Sequence, residues 1–142
     1  LMLRTLPPHG DFVFRIIKDG VPTPTFGIVN TKPGPGEQPF YVANQEGPSR
    51  SQISEDYALI SMLRGMDGRH RILVLAGITT FGTQAASDYV TRTEFANELI
   101  AHLNQARGSA SPRLPDYYQV LVEVKVNGGV PVQMTYVTHH VL

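Results

Sequence analysis

Three threonines and two glycines fall within Gly77-Ile-Thr-Thr-Phe-Gly-Thr-Gln84, and no other stretch of this chain is better suited to chemistry. An apolar run precedes them and a segment of helical spacing follows, so they occupy a strand-to-helix turn. The first amides of a helix have no partner within it, and they carry a partial positive charge. Glycines let a guest approach the backbone, and threonine hydroxyls add donors. Such a turn suits a carboxylate, a phosphate or another small polar ligand. The candidate ligand-binding residues are therefore Gly77, Thr79, Thr80, Gly82, Thr83 and Gln84. The same residues also suit a plain capping turn, with one threonine as N-cap and the glycines serving turn geometry or close packing. The turn has neither the GxGxxG fingerprint nor a Walker lysine, so no nucleotide cofactor is expected.

Other reactive side chains are scattered. His139 and His140 are adjacent, but on a strand neighbours point to opposite faces, so the pair is not expected to share a metal ion. His9, His70 and His102 have no spacing that links them to a carboxylate. Glu37 lies in a proline-glycine loop, and Glu55-Asp56 precede a strand. In an enzymatic reading, Glu37 or Asp56 is the base and Thr79, Thr80 and Thr83 hold an anion. No Gly-x-Ser-x-Gly elbow supports a hydrolase. The sequence thus assigns no catalytic residue, no metal and no cofactor.

The elements that position the turn follow from periodicity. Asp11–Lys18, Phe26–Thr31 and Phe40–Ala43 read as strands separated by proline and glycine loops, after an irregular segment over 1–10. Asn44–Glu55 reads as a polar loop. Tyr57–Leu63 is apolar on both faces, as in a strand covered on both sides. The short turn Gly65–Gly68 makes Arg71–Ala76 its antiparallel neighbour. Two helices are expected next, the first burying Ala85, Ala86, Tyr89 and Val90. The second buries Phe95, Leu99, Ile100 and Leu103, with Thr93 as N-cap, Glu94 in the first turn, Arg107 in the last and Gly108 just past the end. Tyr118–Val126 alternates valines with Gln119, Glu123 and Lys125 and reads as a half-buried strand. Asn127-Gly128-Gly129 turns the chain back into Val130–Val141. The expected fold is α+β: a mixed, mostly antiparallel sheet with one right-handed β-α-β crossover and helices mainly on one face.

The 142 residues make one domain by size. Twelve Lys and Arg balance twelve Asp and Glu, which argues against a nucleic-acid partner. The absence of cysteine excludes disulfides and thiolate zinc sites. Apolar runs are too short to span a membrane, and no basic-then-apolar leader is visible, so a cytoplasmic location is expected.

The segment Leu75–Val90, with Asp56-Tyr57-Ala58 before it, resembles a family of largely uncharacterised bacterial proteins. That family looks to carry Asp-Tyr-Ala ahead of an apolar strand, then an Ala-Gly-x-Thr-x-x-Gly-Thr-x-Ala-Ala turn and helix. The Pro35-Gly36-Glu37 loop and Gly128-Gly129-Val130-Pro131-Val132 look similar too, so the likeness runs from about Asp11 to the last residue. It implies an α/β segment that in longer relatives is C-terminal, sometimes near a helix-turn-helix region. It implies no catalytic residues.

Two functions are expected from these features. One is a non-enzymatic small-molecule-binding or sensory domain, with its ligand at the 77–84 turn. The other is a protein-interaction module, a homodimer formed through the edge of the C-terminal hairpin strand Val130–Val141.

Overall fold

A computed structural model describes residues 10–47, 52–106, 108 and 111–142. Strands β1 (Phe12–Ile17), β2 (Thr25–Asn30) and β3 (Phe40–Tyr41) form a small antiparallel sheet with β2 in the middle. Five more strands form a second sheet: β4 (Asn44–Glu46), β5 (Gln52–Arg64), β6 (Arg71–Gly77), β7 (Tyr118–Asn127) and β8 (Val130–Val141). Helices α1 (Thr80–Thr91) and α2 (Thr93–Leu103) join β6 to β7. The α+β class holds. Every ladder among the described residues is antiparallel, and the strands divide between two sheets rather than one. β6 and β7 flank β5, both antiparallel to it, and so run in the same direction.

The long central strand β5 explains the layering. Ala58 and Ile60 face the helices, where they pack with Ala86, Tyr89, Leu99 and Val122. Leu59 points the other way and joins Leu121 under Phe12, Ile28 and Tyr41 of the small sheet. The large sheet is thus sandwiched between helices and small sheet, and both faces of its middle are dry.

That sandwich corrects the half-buried reading of β7. Gln119, whose polarity alone would turn it to solvent, is 3% exposed. Its amide group acts as a substitute strand for Phe12: Phe12 N–H donates to Gln119 Oε1 at 2.9 Å, and Gln119 Nε2 donates back to Phe12 O at 2.9 Å. A second Nε2 bond reaches Ser61 Oγ at 3.2 Å. A buried amide with all these partners costs little, whereas an unpaired one costs a few kcal/mol, roughly 1–3.

Three other expectations change. The stretch 44–55 contains β4 and the start of β5, because the polar residues Gln52 and Ser54 lie on a strand paired to β4. Thr93 is the first residue of α2, not its cap. Arg92 is the N-cap and makes no side-chain cap bond, while Glu94 does lie in the first turn. The helix also ends earlier than expected, at Leu103. There Asn104 N–H closes on Ile100 O, and Asn104 Oδ1 accepts from the Ala106 and Arg113 amides. Gly108, φ +75°, therefore serves the following loop, and Arg107 and His9 lie outside the described residues. The β7–β8 turn is as expected: Asn127 pairs with Val130 across Gly128 (φ 59°) and Gly129 (φ 78°), two left-handed positions that suit a primed hairpin turn.

Candidate functional site

The turn after β6 is built around a carboxylate from β5. Asp56 is fully buried. Its Oδ2 accepts from Thr79 N–H at 3.0 Å, from Thr79 Oγ1 at 2.6 Å and from Gly82 N–H at 2.7 Å. Its Oδ1 accepts from Tyr57 N–H at 2.8 Å. The group held at this helix N-terminus is a side chain of the protein itself. Thr79 is the N-cap, and its hydroxyl also accepts from Phe81 N–H at 3.2 Å. Gly77 N–H donates to Thr83 Oγ1 at 3.0 Å, and Ile78 N–H donates to Tyr57 O at 3.0 Å.

The glycines are required by proximity. A Cβ on Gly82 would lie 2.6 Å from Asp56 Oδ2 and 2.8 Å from Tyr57 O. One on Gly77 would lie 2.3 Å from Thr83 N. Strand end and helix start touch backbone to backbone here, and no other residue type fits without movement.

Of the candidate residues, Gly77, Thr79, Gly82 and Thr83 converge on this junction. Thr80 and Gln84 are exposed on the outer side of α1. Asp56, considered from sequence only as a base, is the residue that organises the turn. Nothing local in the sequence connects Asp56 to amides more than twenty positions later.

Beside the junction runs a groove of about 640 Å³. Ile78 and Thr79 form one wall, the proline-rich segment with Pro22, Pro24 and Phe26 another, and Val42 lines its far side. None of the residues lining it is charged. The volume falls within the range of small-molecule sites.

The acidic and histidine residues gather elsewhere. His140 and His139 point to opposite faces of β8, opposite Gln119 and Val120. His140 Nδ1 lies 2.7 Å from Asp11 Oδ2, and its Nε2 lies 2.8 Å from Glu37 Oε1. Glu37 also accepts from Thr138 Oγ1 at 2.6 Å, Gly34 N–H at 2.6 Å and Asn30 Nδ2 at 3.3 Å. Burial pushes the Glu37 carboxyl up, but the bonds from Thr138, Gly34, His140 and Asn30 outweigh it and hold it at about 2. Burial also opposes charge on His140, yet the bonds to Glu37 and Asp11 win and raise its pKa above the ordinary value. This cluster ties β1 and the proline-glycine loop to β8. Neither Glu37 nor His140 lines the groove, and among the described residues no group of acids and histidines is arranged to hold a metal.

No family model, curated protein or solved structure matches this chain.

Proposed function

We propose that this chain is a non-enzymatic small-molecule-binding domain whose guest lies in the groove against Ile78 and Thr79, at the strand–helix turn. The observation that carries the reading is the uncharged lining of a cavity of about 640 Å³ beside a turn already fixed by an internal carboxylate. Because Asp56 occupies the Thr79 and Gly82 amides, a phosphate or carboxylate guest finds no free donor there. The groove's remaining donors are the neutral groups of Thr23, Thr25, Asn44 and Gln45, so an ionic guest would give up water for uncharged partners alone, and even a neutral polar group left unpaired costs several kcal/mol, roughly 2–7. The reading therefore favours a neutral ligand with an apolar body. Contact with Thr79, the N-cap of α1, gives such a guest a route to the helix and hence to a sensory output.

A thermal-shift screen tests it. Ligands that bind only the native state raise the melting temperature in proportion to the logarithm of saturation. Neutral aromatic and aliphatic compounds should shift the melt, and phosphates and organic acids should not. Phe26→Asp should abolish the shift, and because the Phe26 ring also stacks on Phe14 its unliganded melt, which will fall, is the baseline for that comparison. A screen in which only anions act, or in which Phe26→Asp makes no difference, would remove the reading.

The second function expected from the sequence, interaction through the Val130–Val141 edge, meets a specific obstacle. β8 carries Pro131 and two register shifts, between Leu121 and Val122 and between Lys125 and Val126 of its partner. Prolines and bulges are the devices that keep sheet edges from pairing.

A further inference from the structure

The large sheet has a second edge, and its protection is different. β6 pairs with β5 on one side, and no strand among the described residues pairs with the other. After Arg71 it has no charge and no proline, and its register against β5 runs unbroken from Arg64↔Arg71 to Ala58↔Gly77. Ile72, Leu73 and Val74 are 42%, 46% and 40% exposed. An unguarded apolar edge of this length is a template for another strand.

The hydrogen bonds that bracket the β5–β6 ladder show which groups are open. Gly65 N–H donates to His70 O, and Ile78 N–H donates to Tyr57 O. In an antiparallel ladder the hydrogen-bonded pairs alternate. Residues 70, 72, 74, 76 and 78 therefore turn their backbone groups towards β5. Arg71, Leu73, Leu75 and Gly77 turn theirs outward. The outward N–H of Gly77 is already taken by Thr83 Oγ1. Among the described residues no strand pairs with the outward groups of the other three, Arg71, Leu73 and Leu75.

From this geometry we infer that β6 is the interface of a symmetric dimer, pairing antiparallel with β6 of a second copy about Leu73. In that register Leu73 faces its own mate, Arg71 faces Leu75, and Ile72 faces Val74. All three open residues are used and the Gly77–Thr83 bond is kept. Shifting the centre to Val74 would set Arg71 against Gly77, whose donor is engaged. The three exposed apolar side chains then cover one another. The two Arg71 side chains stand four residues apart along the ladder, roughly 13 Å at ~3.3 Å per residue, so no like charges meet. A foreign strand would have to match this apolar, nearly charge-free pattern; a second copy matches it by construction, in an isologous contact.

Sedimentation of the full chain at tens of micromolar tests the inference, whether or not the groove takes a ligand. The wild type should sediment with twice the monomer mass. Leu73→Lys should return it to monomer, while Val132→Lys on β8 should leave the dimer intact. The chain has no cysteine, so a single introduced thiol reports register directly. Leu73 and its mate would form a hydrogen-bonded pair with Cα atoms about 5.5 Å apart, within disulfide reach. Leu73→Cys should form a covalent dimer on oxidation, and Val74→Cys should not. That cross-link holds as evidence even if Leu73→Lys fails to fold. A wild-type monomer, a dimer split by Val132→Lys but not by Leu73→Lys, or cross-linking through Val74→Cys alone would overturn the inference.

Discussion

Gly82 donates its backbone N–H to Asp56 Oδ2 at 2.7 Å, a bond from the first turn of α1 into the middle of the large sheet. The same oxygen takes two bonds from Thr79. Removing the carboxylate strands a buried amide and a hydroxyl, and hydrogen bonds to charged acceptors contribute about 1.5–3 kcal/mol each. Asp56→Ala should therefore cost at least ~3 kcal/mol, seen as a lower urea midpoint with an unchanged slope. Asp56→Asn keeps an acceptor oxygen of nearly the same shape and should cost visibly less. Equal losses in the two variants would mean that the carboxylate packs but does not bond.

The vacated position in Asp56→Ala leads to a second expectation. The Thr79 and Gly82 donors would face a space of carboxylate size at a helix N-terminus, which is an anion site in all but its occupant. Formate should raise the melting temperature of Asp56→Ala and leave the wild type unmoved apart from general salt effects, for which chloride is the control. A wild-type response as large as the variant's would mean that the anion binds elsewhere.

Local pattern revealed part of this arrangement. A threonine cap, Thr79 out of the three candidates Thr79, Thr80 and Thr83, the helix faces around Tyr89 and Leu99, and the Gly128-Gly129 hairpin all depend on residues a few positions apart. Asp56 and Gln119 depend on partners brought close only by tertiary packing. An acid before an apolar strand reads as solvated, and a glutamine in an alternating strand reads as outward. Both readings fail, on opposite faces: Asp56 is covered by the start of α1, on the side of Ala58 and Ile60, and Gln119 by the small sheet, a second layer that no period in the sequence announces. The character of the two sheet edges is hidden from local pattern for a related reason. Strand-forming residues mark Val130–Val141, but only the ladder shows that it is bulged while Arg71–Gly77 is regular.

Gln119 provides a direct probe of that covering layer. Gln119→Ala would leave Phe12 N–H and O without partners and open a space between the sheets. The combined loss should be about 2–4 kcal/mol. Hydrogen exchange locates it: the Phe12 amide should lose protection selectively, while amides in the α1-facing core keep theirs relative to the new global stability. Uniform loss across both faces would mean that the small sheet does not depend on this clasp.

His140 and Glu37 predict how stability depends on pH. The folded pKa of His140 is raised, so its contribution is fully present below the ordinary histidine value and is lost as pH rises through the folded one. Glu37 is depressed from 4.5 to about 2, so its contribution is present above 4.5 and is lost as pH falls towards 2. Between them lies a mildly acidic window in which both act. His139 works against His140, since burial, then His102 and His140, lower its pKa, and its contribution grows as pH rises. Unfolding free energies of wild type and His140→Gln, compared from pH 5 to 9, isolate the first effect. The difference between the two proteins should be largest at the acid end and shrink as His140 of the wild type loses its proton. A gap that stays constant with pH would show that His140 acts by packing against the Phe12 ring, 4.6 Å away between centroids, and not by its charge.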